Sequence, residues 1–273
     1  MPPRPTAGTA RAAIPELLEA EAYRRLAATT VGRTIVGVDA PDDWYLKDGL
    51  GADALRDAVT GASIEAVRRR GKVVLVDLTD APTLALRFGM TGRLLVGGAA
   101  AIDRLEYGGT RDDPVWDRVA FALDDGRDLR IRDPRRLGGV HLDLDESTLG
   151  VDAVGATAAE VAVVLGGSSA PVKARLMDQR RLAGLGNLLC DELLWRAGVD
   201  PAREAGSLAV EEIAALVAEL GPMLAEMGER GGSHTGDLHA QRHPGGTCPR
   251  DGTELARRTV GGRTTYSCPH HQV

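Results

Sequence analysis

Two short pairs near the end of the chain, Cys248-x2-Asp251 and Cys268-x2-His271, carry residue types that bind metal, with sixteen residues between Asp251 and Cys268. Thiolate, carboxylate and imidazole are all tetrahedral zinc ligands, and two such pairs flanking a hairpin fit a zinc ribbon. So small a segment lacks a core of its own and needs a staple. His239, His243 or His270 could stand in for Asp251 as the fourth ligand. A metal-free hairpin and a strained Cys248–Cys268 disulfide are the competing readings. Between the pairs, "GGR" (Gly261 to Arg263) reads as a tight turn that aims Arg263 outward, into solvent or onto a phosphate.

Other chemistry lies further upstream. "IPELLEAEAYRR" (Ile14 to Arg25) opens with Pro15, a favoured first-turn residue, and Glu16, which suits the positive end of a helix. Fourteen residues, "MPPRPTAGTARAAI", precede Pro15. "GLGN" (Gly184 to Asn187) reads as a helix junction with Asn187 as N-cap. Such a junction is a ready anion site, or a plain turn. The basic residues are 30 Arg against 3 Lys. Codon bias explains most of that excess but not its clustering in "RRRGK" (Arg68 to Lys72) and "RDLRIRDPRR" (Arg127 to Arg136). Those runs read as a local basic track able to bind phosphate on an otherwise acidic surface of net charge −6.

The elements that must position these residues follow from the apolar pattern. At 273 residues the chain has room for two domains and an appendage. No apolar run reaches membrane-spanning length, no secretory signal opens the chain, and three cysteines suit a reducing compartment, so a cytoplasmic protein is expected. From Thr34 to about Leu144 come short apolar stretches, "TIVGVDA", "KVVLVDL", "TLALRFGM", "GRLLVGG", "VAFAL", "LRIRD" and "GVHLDL", separated by turn formers. They predict an antiparallel β-sandwich or barrel, with one helix near Asp53 to Val59. After Leu144, "AAEVAVVL", "VKARLMDQ", "NLLCDELLWRAG" and "VEEIAALVAELGPMLAEM" carry apolar residues at helical spacing.

These pieces, in this order, resemble the formamidopyrimidine-DNA glycosylase and endonuclease VIII family over nearly the whole chain from Pro15 to Gln272. "PELLEAEAYRR" is similar to the family's opening, "RRRGKVVLVDL" to its lysine-bearing hairpin and "RFGMTGRLLV" to its intercalation loop. "WDRVAFAL" and "IRDPRRLGG" are similar to two later strands and the loop after them, and "VKARLMDQRRLAGLGNLLCDELLWRAG" to its helix–two-turn–helix. The resemblance implies an α+β fold: an N-terminal antiparallel β-sandwich domain, a C-terminal helix–two-turn–helix domain and a zinc-ribbon-like hairpin. The expected divisions are a disordered extension over 1–14, the sandwich over 15–145, the helical DNA-binding domain over 146–238 and the zinc-finger-like hairpin over 239–273.

By the same resemblance the protein is a base-excision repair DNA glycosylase with abasic-site lyase activity, acting as a monomer on damaged double-stranded DNA in the nucleoid. The reacting base is first extruded from the stack. Met90 is then implied as the main wedge, with Arg135 and Leu137 on a second loop; the family often has Phe at the Leu137 position, a better filling. Phosphate clamping is implied for Lys72, Asn187 and Arg263, and DNA contact also for Lys173. Pro15 is implied as the nucleophile and Glu16 as general acid and base, with Lys72 beside them in the catalytic set. Zn(II) is implied on Cys248, Asp251, Cys268 and His271.

That chemistry needs Pro15 as a free secondary amine. Inside a chain its nitrogen is a tertiary amide and cannot attack. A start at position 14, clipping after Ile14, a role for Pro2, and water activation by Glu16 are four ways around this; an artefactual extension is a fifth reading. The rival is a non-catalytic damaged-DNA-binding paralogue. A third class, an RNA- or protein-binding zinc module, predicts no preference for abasic or flipped-base duplexes. The lesions favoured are oxidised pyrimidines and ring-opened purines.

Overall fold

The protein is described by a computed structural model that covers residues 15–102, 105 and 113–273. The first fourteen residues, expected to form an extension, lie outside the described residues. The chain enters through helix α1 (Leu17–Ala28), then β1 (Ile35–Asp39), α2 (Ala52–Val59), β2 (Ile64–Arg70), β3 (Val73–Leu78), β4 (Ala81–Arg87), β5 (Arg93–Val96) and β6 (Ala99–Ala100). Strands β7 (Asp117–Leu123), β8 (Asp128–Arg132) and β9 (Gly139–Leu142) complete two antiparallel sheets, ordered β1-β7-β8-β5-β6 and β2-β3-β4-β9. Their inner faces share one core, from Ile35, Phe121 and Ile131 on one side to Val74, Val76 and Leu86 on the other.

Strand β3 reads as an unbroken apolar run because both its faces are covered. Val74 and Val76 point into the sandwich, while Val73 and Leu75 meet Leu149 and Ala183 from the helical half. Its neighbour β2 was not among the expected strands, since it ends in three arginines. Those arginines are spent on the protein itself. Arg68 forks onto Asp77 and reaches Glu146 at 3.0 Å, Arg69 pairs with Asp152 at 2.9 Å, and Arg70 donates to the Leu149 carbonyl at 3.2 Å. The second cluster behaves alike: Arg127 pairs with Asp125, Arg130 and Arg132 with Asp117, and Arg136 with Asp42. The expectation of a phosphate track along both runs is therefore corrected, because most of these guanidinium groups already hold carboxylates.

The second half begins with β10 (Val151–Asp152), which pairs in parallel with β11 (Leu182–Ala183). Helices α3 (Ala158–Leu165), α4 (Val172–Leu176), α5 (Asn187–Ala197) and α6 (Val210–Arg230) enclose a separate core around Leu176, Leu189, Leu193 and Met223. Helix α4 stops three residues short of the expected Gln179 because Gln179 is used to fold the turn. Its amide donates to the Met177 and Leu185 carbonyls and its oxygen accepts from the Gly184 N–H. Strands β12 (Ala256–Val260) and β13 (Arg263–Ser267) form the terminal hairpin, closed by Gly261 and Gly262 at φ +56° and +74°. Both signs are those of a two-residue hairpin turn that favours glycine.

Helix α1 ties the halves together. Leu17 is buried in the helical core, whereas Tyr23 and Ala27 are buried in the sandwich. The Leu17 N–H donates to the Gly184 carbonyl at 3.1 Å, and Gly184 holds φ +119° where a side chain would strike Leu17. Pro15 and Glu16 consequently emerge at the seam between the two cores.

Candidate active site and DNA-facing surface

Glu16 is 1% exposed. Helix α1 begins at Leu17, two residues later than Pro15 suggested as a first-turn residue, and Glu16 is its N-cap. Its carboxylate also reaches the start of α5. Oε2 accepts from the Gly186 and Leu189 amides at 2.9 and 3.1 Å, and Oε1 from the Leu188 amide at 2.8 Å. These are orphan donors at the start of α5, where the helix dipole favours an anion. Three of roughly four lone-pair positions on the carboxylate are thereby used, which leaves about one for a proton in transit. Lys72, at the β2–β3 turn, brings its ammonium to the same place: a side chain at Gly186 would collide with both the Glu16 carboxyl and Lys72 Nζ. The anion site expected at "GLGN" is thus present, and its occupant here is Glu16.

Asn187 is the first residue of α5, and Gly186 is the N-cap, a correction to the N-cap reading. The Asn187 amide donates to the Thr264 carbonyl of β13 at 3.2 Å, which brings the hairpin tip alongside α5. Gly261 sits so close to Ala174 of α4 that a side chain there would overlap it, so the tip is seated rather than free. Arg263 follows the turn and is exposed.

Lys173 is placed otherwise than expected. It is fully buried, 2.6 Å from the Asp191 carboxylate and 2.7 Å from the Thr265 hydroxyl, so its ammonium holds protein and not phosphate. Arg242 also pairs with Asp191 and stacks on Tyr266. With two cations on one buried carboxylate, and arginine unable to give up its proton, lysine is the member that yields. Burial pushes Lys173 down to about 7. The adjacent Cys190 thiol is pushed up to about 12, also by burial. Glu192 of α5 is also buried; it accepts from the Asp237 and Leu238 amides at 3.1 and 3.0 Å and pairs with Arg196.

At the other end of the sandwich, Met90 lies in the β4–β5 turn and is half-buried, while Arg135 and Leu137 are exposed on the β8–β9 loop. The turns are pressed together at Gly89, whose positive φ of +57° and lack of a side chain let it sit against Leu137. Asp133 holds both. It is fully buried, takes the Thr91 hydroxyl from one turn, and accepts the Arg135 and Gly138 amides of the other at 3.2 and 3.0 Å. Sequence reasoning passed over Asp133, although an aspartate just before a proline at a strand end is a recognisable loop-anchoring signal. It also passed over Glu19, three residues after Glu16, the spacing of a capping box. Glu19 accepts the Glu16 amide at 2.9 Å and pins the loop after α6 through the Ser233 amide and hydroxyl, each at 2.8 Å.

In the terminal hairpin Cys248, Asp251, Cys268 and His271 converge, with their ligand atoms all within 4.8 Å of one another. Cys248 Sγ lies 3.5 Å from His271 Nδ1, and Asp251 Oδ2 lies 3.4 Å from both Cys268 Sγ and His271 Nδ1. A tetrahedron with zinc–ligand bonds of ~2.0–2.3 Å has edges of about 3.3–3.8 Å, so these separations fit a metal with little movement. His270 also reaches Asp251, at 3.1 Å, from an exposed position.

A sandwich joined by its first helix to a helix–two-turn–helix and a ribbon, with a proline–glutamate pair at the seam, defines a distinct class of enzyme fold. Residues 14–140 match the formamidopyrimidine-DNA glycosylase N-terminal domain, and residues 149–238 the H2TH domain of the same enzymes. A formamidopyrimidine-DNA glycosylase of Chloroflexus aggregans is 36% identical over 95% of this chain and 99% of its own. Among solved structures, a mutant Lactococcus lactis Fpg bound to Fapy-dG DNA has a TM-score of 0.80 at 25% identity, covering 94% of this chain and 99% of that one. The wild-type Lactococcus lactis protein with DNA containing an oxidised pyrimidine matches with TM-score 0.79, 25% identity and the same coverage. The chain belongs to the formamidopyrimidine-DNA glycosylase and endonuclease VIII family of base-excision repair DNA glycosylases. Among the described residues, no helix is long and apolar enough to cross a membrane.

Proposed function

We propose that this glycosylase binds damaged double-stranded DNA across the seam between sandwich and helical domain, and excises oxidised pyrimidines and ring-opened purines. The observation that carries the reading is the pairing of Pro15 with a Glu16 carboxylate seated on the α5 amides beside Lys72. The domains are taken as 15–145, 146–238 and 239–273. Met90 with Arg135 and Leu137 fills the gap left by the extruded base, as apolar wedges do in other kinked duplexes. Lys72, Asn187 and Arg263 meet phosphate, and a nucleoid location follows from the partner. Lys173 acts from beneath, steadying β13 through Thr265.

When Pro15 is a free secondary amine, its nitrogen bonds to the sugar C1′ and the bond from C1′ to the base breaks. The proton released by the amine passes to Glu16 and is available to the leaving base. The nitrogen lone pair then breaks the bond from C1′ to the ring oxygen O4′, which takes up a proton, and the ring-opened iminium permits strand cleavage by elimination. With Ile14 attached, Pro15 is an amide. Glu16 then activates a water, and the product is an abasic site in an uncut strand. Zinc, held by Cys248, Asp251, Cys268 and His271, crosslinks the hairpin ends and takes no part in these steps.

Single-turnover excision of thymine glycol or Fapy-dG from a duplex tests this. Glu16→Gln is expected to abolish excision while affinity for an abasic-site analogue stays within a few-fold. Excision at an undiminished rate by that variant would overturn the assignment.

A further inference from the structure

Helix α5 carries a second device at the end remote from Glu16, built on Trp195. This residue is 4% exposed and packs with Cys248, Cys268, Leu238, Leu255 and Tyr266. Its indole Nε1–H lies 3.4 Å from Cys248 Sγ. Indole nitrogen can only donate, so the sulfur is the acceptor. The Trp195 backbone carbonyl lies 3.1 Å from His271 Nε2. A carbonyl can only accept, so Nε2 carries the proton and Nδ1 keeps its lone pair. Nδ1 is the atom that faces Cys248 Sγ and Asp251. One residue outside the hairpin thus addresses one ligand from each pair, Cys248 from the first and His271 from the second.

The surroundings hold Trp195 in that pose. The His271 ring meets its edge at 6.1 Å between centroids and 71° between planes. Arg250 covers its ring with the guanidinium 4.8 Å from the centroid, donates to the Arg196 carbonyl at 2.8 Å, and gives its own amide to Cys248 Sγ at 3.4 Å. Gln272 binds the Cys268 amide and the Val199 carbonyl just beyond α5, at 2.7 and 3.0 Å.

We infer that Trp195 is a positioning residue for the hairpin metal, orienting Cys248 through its indole N–H and His271 through its carbonyl, so that metal binding seats the ribbon on α5. This rests on the proposed zinc reading of the four ligands and goes beyond it. Groups hydrogen-bonded to metal ligands orient them and fix the imidazole tautomer, and their loss typically weakens metal binding 10–100-fold. The same helix, roughly 16 Å long at 1.5 Å per residue, begins with the amides that hold Glu16, so the metal and the catalytic carboxylate share one rigid rod.

The test uses the full chain, cobalt(II) as the probe and a competing chelator, and compares wild type with Trp195→Phe, which keeps the aromatic bulk and removes the N–H donor. The expected result is a 10–100-fold weaker affinity in the variant, with altered ligand-field absorption. Equal affinity and an unchanged spectrum would overturn the role of Trp195, while failure of the wild type to bind cobalt or zinc would overturn the metal reading on which it rests. A second measurement does not depend on how the variant folds. In a Trp44→Phe, Trp116→Phe background Trp195 is the sole tryptophan, and its emission should be quenched in step with cobalt binding. Cobalt binding without quenching would place the metal elsewhere and refute the inference.

Discussion

The two turns proposed as the wedge and the terminal hairpin both carry exposed side chains, Leu137 and Arg263, yet they are made rigid in opposite ways. The turns bearing Met90 and Leu137 stand on a large apolar core, and one buried carboxylate, Asp133, is enough to lock them to each other. The hairpin bearing Arg263 contributes four side chains, two of them thiols, to a buried cluster completed by Leu238 and by Trp195 of α5. Below a certain core size apolar burial cannot offset chain entropy, and an ion or a neighbouring element must supply the rest. Here α5 packs against the hairpin, and a metal on the four converging ligands would supply the rest. On the proposed metal reading, the sandwich end is expected to tolerate loss of the metal and the hairpin end is not.

Metal removal separates the two ends most sharply. Exhaustive chelation, or Cys268→Ser, is expected to lower duplex affinity about 10–100-fold, while the β-sheet signal in far-UV circular dichroism and the sandwich unfolding transition stay in place. Loss of the sandwich transition on chelation would show that the two ends are not independent. Next in size is Asp133→Ala, which strands the Thr91 hydroxyl and two loop amides and should cost about 3 kcal/mol in the sandwich transition, without changing metal affinity.

A smaller effect is the pH dependence centred on Lys173. Its folded value of about 7 lies below the unfolded 10.5, so the unfolded chain binds the extra proton in between. Stability therefore rises as pH increases from 7, by at most about 1.4 kcal/mol per unit. Cys190 works in the other direction above 9, where the unfolded thiol ionises and the buried one, at about 12, does not. Urea unfolding between pH 7 and 9 should show the rise in wild type and lose it in Lys173→Met; an identical slope in both would remove Lys173 as its source. The smallest effect expected is Leu137→Phe, which enlarges the wedge and should tighten binding to an abasic-site duplex two- to threefold, about 0.5 kcal/mol. Looser binding would mean that Leu137 does not enter the duplex.

Much of this arrangement was legible before the structure. The apolar runs gave most strands, helical spacing gave α3, α5 and α6, and the four ligands of the hairpin converge as their spacing suggested. What escaped depended on partners far along the chain. Strand β2 was hidden because its arginines read as a phosphate track until Glu146 and Asp152 were seen to hold them. Lys173 read as a DNA contact because nothing local announces that Asp191 and Thr265 enclose it. Glu16 read as an acid suited to the positive end of its own helix, whereas three donors it binds lie some 170 residues later. Long-range polar pairing leaves no periodic trace, which is why apolar pattern was the better guide.

The most direct test is borohydride trapping on a duplex with one abasic site, comparing the full chain with a chain whose first residue is Pro15. Attack of a free Pro15 amine on the abasic aldehyde, with loss of water, gives an iminium that hydride reduces to a stable covalent adduct. An adduct in the shortened chain alone is the expected result, and it places the nucleophile at Pro15. An adduct on the full chain would require another amine, and no adduct on either, with tight binding intact, would contradict the lyase chemistry altogether.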